Sequence, residues 1–371
     1  MTRLLADIRA DPLLWLVAVV PVVFVVEHLG VGSATLRFLL SVLAIVPLAA
    51  LLSRATESVA VKTGDAVGGL LNATLGNLTE LVIALAALRA GEYMLVKASV
   101  AGAIVANALF VPGMAFLLGG LRHHVQEFNR VTARVQAAML FLATIALLVP
   151  SVLQRVDVPA PSADRADFTG ALSLGLSCLL IVGYALGMLF TLRTHREFFG
   201  SATHHEEEET PWPVGLAATV LAVVTVVVAL VSEVFVASVQ EAASTLGLTP
   251  AFVGFIVVAL VGGAAEMASA FSAAQKNRMD LSVGIALGAA AQIALFVAPA
   301  LVLLSYVLGP TPMDLSFWPG AVVMMLVAVL TMTMVTSGGR SAWFVGVLVL
   351  LVYFVFALTL YLMPPAPVAA G

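Results

Sequence analysis

The sequence predicts an all-α polytopic membrane protein, with one extra N-terminal helix followed by two inverted five-helix repeats. Three observations predict it. Of 371 residues, 61% are hydrophobic and only 10% charged, a balance that does not fit a water-soluble surface. Charges, Pro and Gly divide the chain into eleven apolar runs, each near the roughly 20 residues with which a helix crosses a bilayer. Two pairs of short motifs recur at one offset, the mark of a duplication. The same composition narrows function. A net charge of −4 without a basic tract gives nucleic acid nothing to bind. The single Cys178 allows no intrachain disulfide and matches no metal or redox spacing. No Ser-His-Asp set, P-loop or dinucleotide fingerprint occurs, so neither an enzyme nor a cofactor is expected.

The runs have approximate cores at 12–28, 36–53, 66–88, 94–119, 132–152, 169–192, 213–236, 251–274, 282–306, 317–335 and 342–362. The first follows a charged start but lacks a small-residue cleavage site, and further spans follow it, so it reads as a retained helix rather than a signal peptide. Orientation comes from the loops. With the N-terminus inside, the inner segments hold twelve of the seventeen Lys and Arg residues, leaving Arg37, Arg89, Lys97, Arg155 and Arg165 outside. That bias puts the N-terminus in the cytoplasm and the C-terminus outside. Richness in Ala, Val and Leu points to a bacterial plasma membrane.

One polar segment, "TLRTHREFFGSATHHEEEETPWP" at 191–213, separates spans 1–6 from spans 7–11. The expected division is therefore an N-terminal helix at 1–30, a first repeat at 31–193, a linker at 194–211 and a second repeat at 212–371. Glu206, Glu207, Glu208 and Glu209 in the linker read most simply as a solvated charge run. The alternative is an acidic segment that gathers cations before entry, with His204 and His205 adding metal affinity.

The repeat is visible in two places. "GNLTE" at 76–80 aligns with "GGAAE" at 262–266, and "GAIVANALFV" at 102–111 with "GAAAQIALFV" at 288–297, both at an offset of 186 residues. Spans 2–6 form one copy and spans 7–11 the other. Five crossings per copy is an odd number, so the second copy lies upside down. Inverted repeats are a signature of secondary transporters, whose substrate site lies near the midplane on interrupted helices.

Glu80 and Glu266 each fall mid-span at equivalent positions. An ionised carboxylate there costs at least about 2.5–3.5 kcal/mol on insertion scales, so an intramembrane acid calls for a functional reason. Asn72, Gly76 and Glu80 share a helix face, with Asn77 close beside it. Gly68, Gly69 and Gly76 in one repeat, and Gly262 and Gly263 in the other, weaken helix regularity and so can free backbone carbonyls to join the side-chain oxygens; the alternative is that they serve only tight helix packing. Such an all-oxygen set suits a hard cation, Ca²⁺ before Mg²⁺, and holds no Cys or His for a soft metal. Two carboxylates meeting in a low dielectric need something positive between them. Either one divalent cation or up to two protons serves, which is the physical basis of obligatory exchange.

On these residues, the stretches "ATESVAVKTGDAVGGLLNATLGNLTELVIAL" (55–85) and "GFIVVALVGGAAEMASAFSAAQKNRMDLSVGIALGAAAQIALFV" (254–297), with the acidic linker between them, resemble the cation/proton exchangers, the CAX-type branch of the calcium/cation antiporter superfamily. The likeness runs in order over spans 2–11. It implies Ca²⁺/H⁺ antiport through eleven helices, the two repeat glutamates as exchange site, and an acidic helix in the cytoplasmic linker. It also implies that Asn77 and Gln292 supply amide ligands, that Asn107 occupies a comparable region of span 4, and that Glu233 is a secondary proton-coupling or structural acid. The chain departs from the family pattern at Gly263 (usually Asn), Met267 (usually His) and Ala103, Ala289 and Ala290 (usually serines), so oxygen ligands are fewer and ion preference stays open. The expected cargo is Ca²⁺ or a related divalent cation against H⁺, within a lipid bilayer and with homo-oligomerisation left open. The alternatives are a Na⁺-coupled exchanger or a passive cation channel.

Overall fold

The computed structural model describes residues 7, 11–63, 65–153, 162–195 and 211–365. Eleven apolar segments appear in the order expected. They are α1 (Pro12–His28), α2 (Ala34–Thr63), α3 in two pieces (Asp65–Leu75 and Leu78–Arg89), α4 (Tyr93–His123), α5 (Arg130–Leu153), α6 (Phe168–Thr194), α7 (Val214–Thr245), α8 in two pieces (Pro250–Gly262 and Ala264–Gln275), α9 (Met279–Leu308), α10 (Pro319–Thr336) and α11 (Trp343–Leu362). Among the described residues, eight unbroken helices are long and apolar enough to cross a membrane, and the bent pair that makes up α8 is a ninth. The shorter α1 and the interrupted α3 complete the set.

Two helices outrun their sequence cores. At 30 and 32 residues, α2 and α7 are longer than the apolar runs that announced them. At about 1.5 Å per residue, each exceeds a hydrocarbon layer of about 30 Å and must tilt or protrude. They lie against each other along their length, with Phe38 stacked on Phe235 at 5.4 Å. Most of the α4 and α9 spans is buried in protein (83% and 67%), against 22% for α6 and 28% for α7, so α4 and α9 form the centre and α6 and α7 the periphery.

The connections sort onto two faces. On one, β1 (Val125–Glu127), between α4 and α5, pairs antiparallel with β2 (Arg340–Ala342), between α10 and α11, with Gln126 opposite Ser341. The α8–α9 connection joins them: the Gln126 amide donates to the Ala274 carbonyl at 2.9 Å and to Asn277 Oδ1 at 3.0 Å, and the Asn129 N–H donates to Asp280. On the other face, the α9–α10 connection binds the start of α4. There Lys97 Nζ donates to Asp314 at 2.6 Å, and the Tyr93 hydroxyl donates to the Thr311 carbonyl at 2.6 Å. This sorting is what alternate crossings require. The short strand pair was not expected from sequence.

Candidate functional site

Both α3 and α8 break at the same repeat position. In α3 the interruption is at Asn77 (φ −94°, ψ 26°), and in α8 at Gly263 (φ −85°, ψ 12°), where the two halves bend by 59°. The break residues are 186 apart, the offset of the repeat. Each restarts the helix in the same way, for the Leu81 N–H donates to the Asn77 carbonyl and the Met267 N–H to the Gly263 carbonyl, both at 3.0 Å. Three residues after each break stands a glutamate, Glu80 and Glu266, in the first turn of its new half-helix. The unpaired N–H groups and dipole at that end favour negative charge. The half-helices ending at the breaks point their carbonyl ends to the same zone, the arrangement that attracts cations.

The two repeats meet here. Gly262 and Gly263 form the surface on which Glu80 rests: a Cβ on Gly262 would stand 3.0 Å from Glu80 Cγ, and one on Gly263 3.4 Å from Glu80 Oε1. Glu266 stands in the first turn after Gly263, the residue that borders Glu80 Oε1, so both acids belong to one buried zone. Across the same interface the Asn77 amide donates from Nδ2 to Gln292 Oε1 at 2.6 Å. Gly76 sits beside this link, with Gln292 Oε1 4.0 Å from where its Cβ would be.

The oxygens of this zone are short of partners. Glu80 Oε1, Glu266 Oε2, Asn77 Oδ1 and Asn107 Oδ1 are all buried without a hydrogen bond. Burying an unpaired polar oxygen costs on the order of 1–3 kcal/mol. Asn77 is telling, because a helix-capping Asn normally accepts from its own helix's N–H groups and this one makes no such bond. Its oxygen is left for something else. These are neutral and anionic oxygens only, the donor chemistry of a hard cation. Among the described residues no group of three or more His, Cys, Asp and Glu that could hold a metal ion forms, here or elsewhere, so the acids of this zone number two.

A small cavity of about 10 Å³, room for about one water-sized particle, opens on Glu80 and is lined by Ala84, Ser99, Ala103, Val258, Ala259 and Ile293 among others. Ser99 was not anticipated; one hydroxyl among many apolar neighbours gave no signal in the sequence. Asn107 lies one turn beyond Ala103, on a π-helical turn at Ala106–Phe110, and α9 has a matching π turn at Ile293–Val297 directly after Gln292. The structure therefore brings together Glu80, Glu266, Asn77, Gln292, Gly76 and Gly262, with Asn107 on the adjoining turn of α4. It does not bring Glu233 to them. That side chain is 58% exposed on α7 and pairs with Arg89 at 3.6 Å, so it is placed as a peripheral ion pair rather than beside the two acids. Glu206 to Glu209, with His204 and His205, lie outside the described residues.

Comparison with known proteins places this geometry. Residues 33–193 and 216–362 match the model of the sodium/calcium exchanger protein family. The chain is 41% identical over 363 residues to a Ca²⁺/H⁺ antiporter of Synechocystis, covering 93% of this chain and 95% of that one. It is 34% identical to vacuolar cation/proton exchanger 1 of Arabidopsis thaliana, over 92% of this chain and 76% of the relative. Among solved structures, native YfkE superposes with a TM-score of 0.80 at 36% identity, covering 95% of this chain and all (100%) of that one. The H⁺/Ca²⁺ exchanger CAX shares the fold, with a TM-score of 0.72 at 15% identity.

Proposed function

The chain belongs to the sodium/calcium exchanger protein family, and from that premise we propose that it is an integral membrane antiporter exchanging Ca²⁺ for H⁺. The observation that carries this reading is the pair of buried glutamates at the two helix breaks, amid side-chain oxygens that no protein donor satisfies. Two close carboxylates in a dry centre are stable only when neutralised. A bound Ca²⁺ does this with one ion and protons with up to two. Either loaded state is close to neutral and lets the repeats move against each other; the bare dianion resists, so uncoupled leakage is suppressed.

Each part of the site has a role in this scheme. Glu80 and Glu266 carry the charge and take up the protons. Asn77 offers Oδ1 to the cation while Gln292, its hydrogen-bond partner, fixes its orientation. The carbonyl ends of the broken helices supply the remaining oxygens. Lys and Arg loop bias supports a cytoplasmic N-terminus, which makes the strand-bearing face cytoplasmic.

The test is transport by the purified chain in proteoliposomes. An imposed pH gradient should drive uphill ⁴⁵Ca²⁺ uptake that collapses with a protonophore, and a Na⁺ gradient should not replace it. Uptake driven by Na⁺ alone, or only downhill flux, would overturn the proposal.

A further inference from the structure

The two helix breaks are twins in backbone and differ in side chain. Asn77 and Gly263 stand at equivalent repeat positions with nearly the same φ and ψ, both allowed to any L-residue. Nothing in the backbone requires glycine at 263. Space does not require it either. A Cβ there would meet the Ala259 carbonyl at 3.4 Å, Glu80 Oε1 at 3.4 Å and Met267 Cε at 3.5 Å, ordinary van der Waals distances. The neighbouring Gly262 is different, since its Cβ would press to 3.0 Å on Glu80 Cγ. Gly262 is thus explained by close packing, and Gly263 is not.

What Gly263 does instead is leave a notch against Glu80 Oε1, a buried oxygen without a hydrogen-bond donor. The first repeat fills the twin position with an amide whose Oδ1 is itself unpartnered. We propose that Gly263 determines ion specificity by leaving one coordination position of the bound cation to water. The site then takes a partly hydrated divalent cation rather than a fully stripped one. Ca²⁺ tolerates irregular all-protein cages, whereas Mg²⁺ sheds water reluctantly. A retained water therefore weakens Ca²⁺ binding and narrows the preference for Ca²⁺ over Mg²⁺. The inference rests on the exchange reading and concerns the same site.

The experiment is equilibrium dialysis of ⁴⁵Ca²⁺ against the full chain purified in detergent, with Mg²⁺ as competitor, for the wild type, Gly263→Asn and Gly263→Ala. Gly263→Asn supplies the missing oxygen. It should tighten ⁴⁵Ca²⁺ binding by about tenfold, the scale of one hydrogen-bonding group facing a charge, and raise the Mg²⁺ concentration needed to compete. Gly263→Ala fills the notch without an oxygen and should weaken binding several-fold. Opposite shifts separate a ligand position from a merely structural one, which would move both variants the same way. Equal affinity in all three proteins, or weakening in both variants, overturns the role of Gly263. A wild type that binds no ⁴⁵Ca²⁺ contradicts the exchange reading itself.

Discussion

The half-helix that leads to the break in α3 and the one that leads to the break in α8 are copies of one design held in different surroundings. Seven residues of Pro250–Gly262 are buried (Ala251, Val253, Gly254, Phe255, Val258, Ala259 and Gly262), whereas in Asp65–Leu75 only Gly68 is buried among the described side chains. The α8 half is clamped onto α4 through backbone. A Cβ on Gly102 would collide with the Phe255 main chain, and one on Gly254 would stand 2.7 Å from Ala98 Cβ. Gly102 has a twin in α9, Gly288, and there the same addition would meet only Gln136 Nε2 at 3.5 Å. Two matching motifs are thus used differently: Gly102 clamps the α8 half through backbone, whereas Gly288 meets no main chain and the α3 half presses on α2 instead, where a Cβ on Gly68 would collide with the Ala60 main chain. A symmetric pair of repeats trapped in one asymmetric arrangement has a second arrangement of similar kind available, with the roles exchanged. The side clamped through Gly102 is the face bearing Lys97 and Asp314; the side of Gly288 is the face bearing the strands.

The largest effect expected from this difference is on stability. Gly102→Ala forces backbone apart and should cost about 1–3 kcal/mol, whereas Gly288→Ala should stay within about 0.5 kcal/mol, both read from thermal unfolding in detergent. Equal costs would erase the distinction between the twins. A bulkier change sharpens it. Gly288→Leu should leave the unfolding midpoint nearly unchanged yet slow ⁴⁵Ca²⁺ uptake several-fold, because α9 needs that surface when the α3 half closes on it.

The difference between the breaks gives the next effect. Asn77→Ala removes both the link to Gln292 and an oxygen, and should raise half-saturating Ca²⁺ by about tenfold, measured as the concentration dependence of pH-driven uptake. The smallest effect concerns the two faces. The Lys97–Asp314 pair, at 2.6 Å and mostly covered (19% and 32% exposed), should contribute about 0.5–1 kcal/mol on removal of Asp314. The Glu127–Arg340 pair, 71% exposed on both sides, should show no measurable change in the same unfolding assay.

Much of this was legible in the sequence because charges are so scarce in it. The eleven apolar runs all fall on helix, nine of them long and apolar enough to cross a membrane among the described residues, and two mid-span acids with no local counter-charge called for either a functional reason or a retained proton. Gly76 and the Gly262–Gly263 pair signalled interruption, and the breaks fall there, at Gly76–Asn77 in α3 and at Gly263 in α8. Other features had no sequence signal. The ends of α2 and α7 carry enough polar residues to hide their helical continuation. The strands are three residues each, too short for any alternation to show. Glu233 resembles the other two acids in sequence, yet it faces Arg89 at the periphery, and only three-dimensional placement separates them. The tight and loose glycines are the clearest case. Gly102 and Gly288 sit in matching motifs, so no reading of the chain alone can tell which one the fold is using.

The central claim is that Glu80 and Glu266 form one site, neutralised as a unit. The direct measurement is pH-driven ⁴⁵Ca²⁺ uptake in proteoliposomes by Glu80→Gln, Glu266→Gln and the double variant. A single shared site predicts that each single change abolishes coupled uptake as fully as both together, the non-additivity of groups that act as one. Coupled uptake surviving in either single variant, or losses that add in the double, would contradict it.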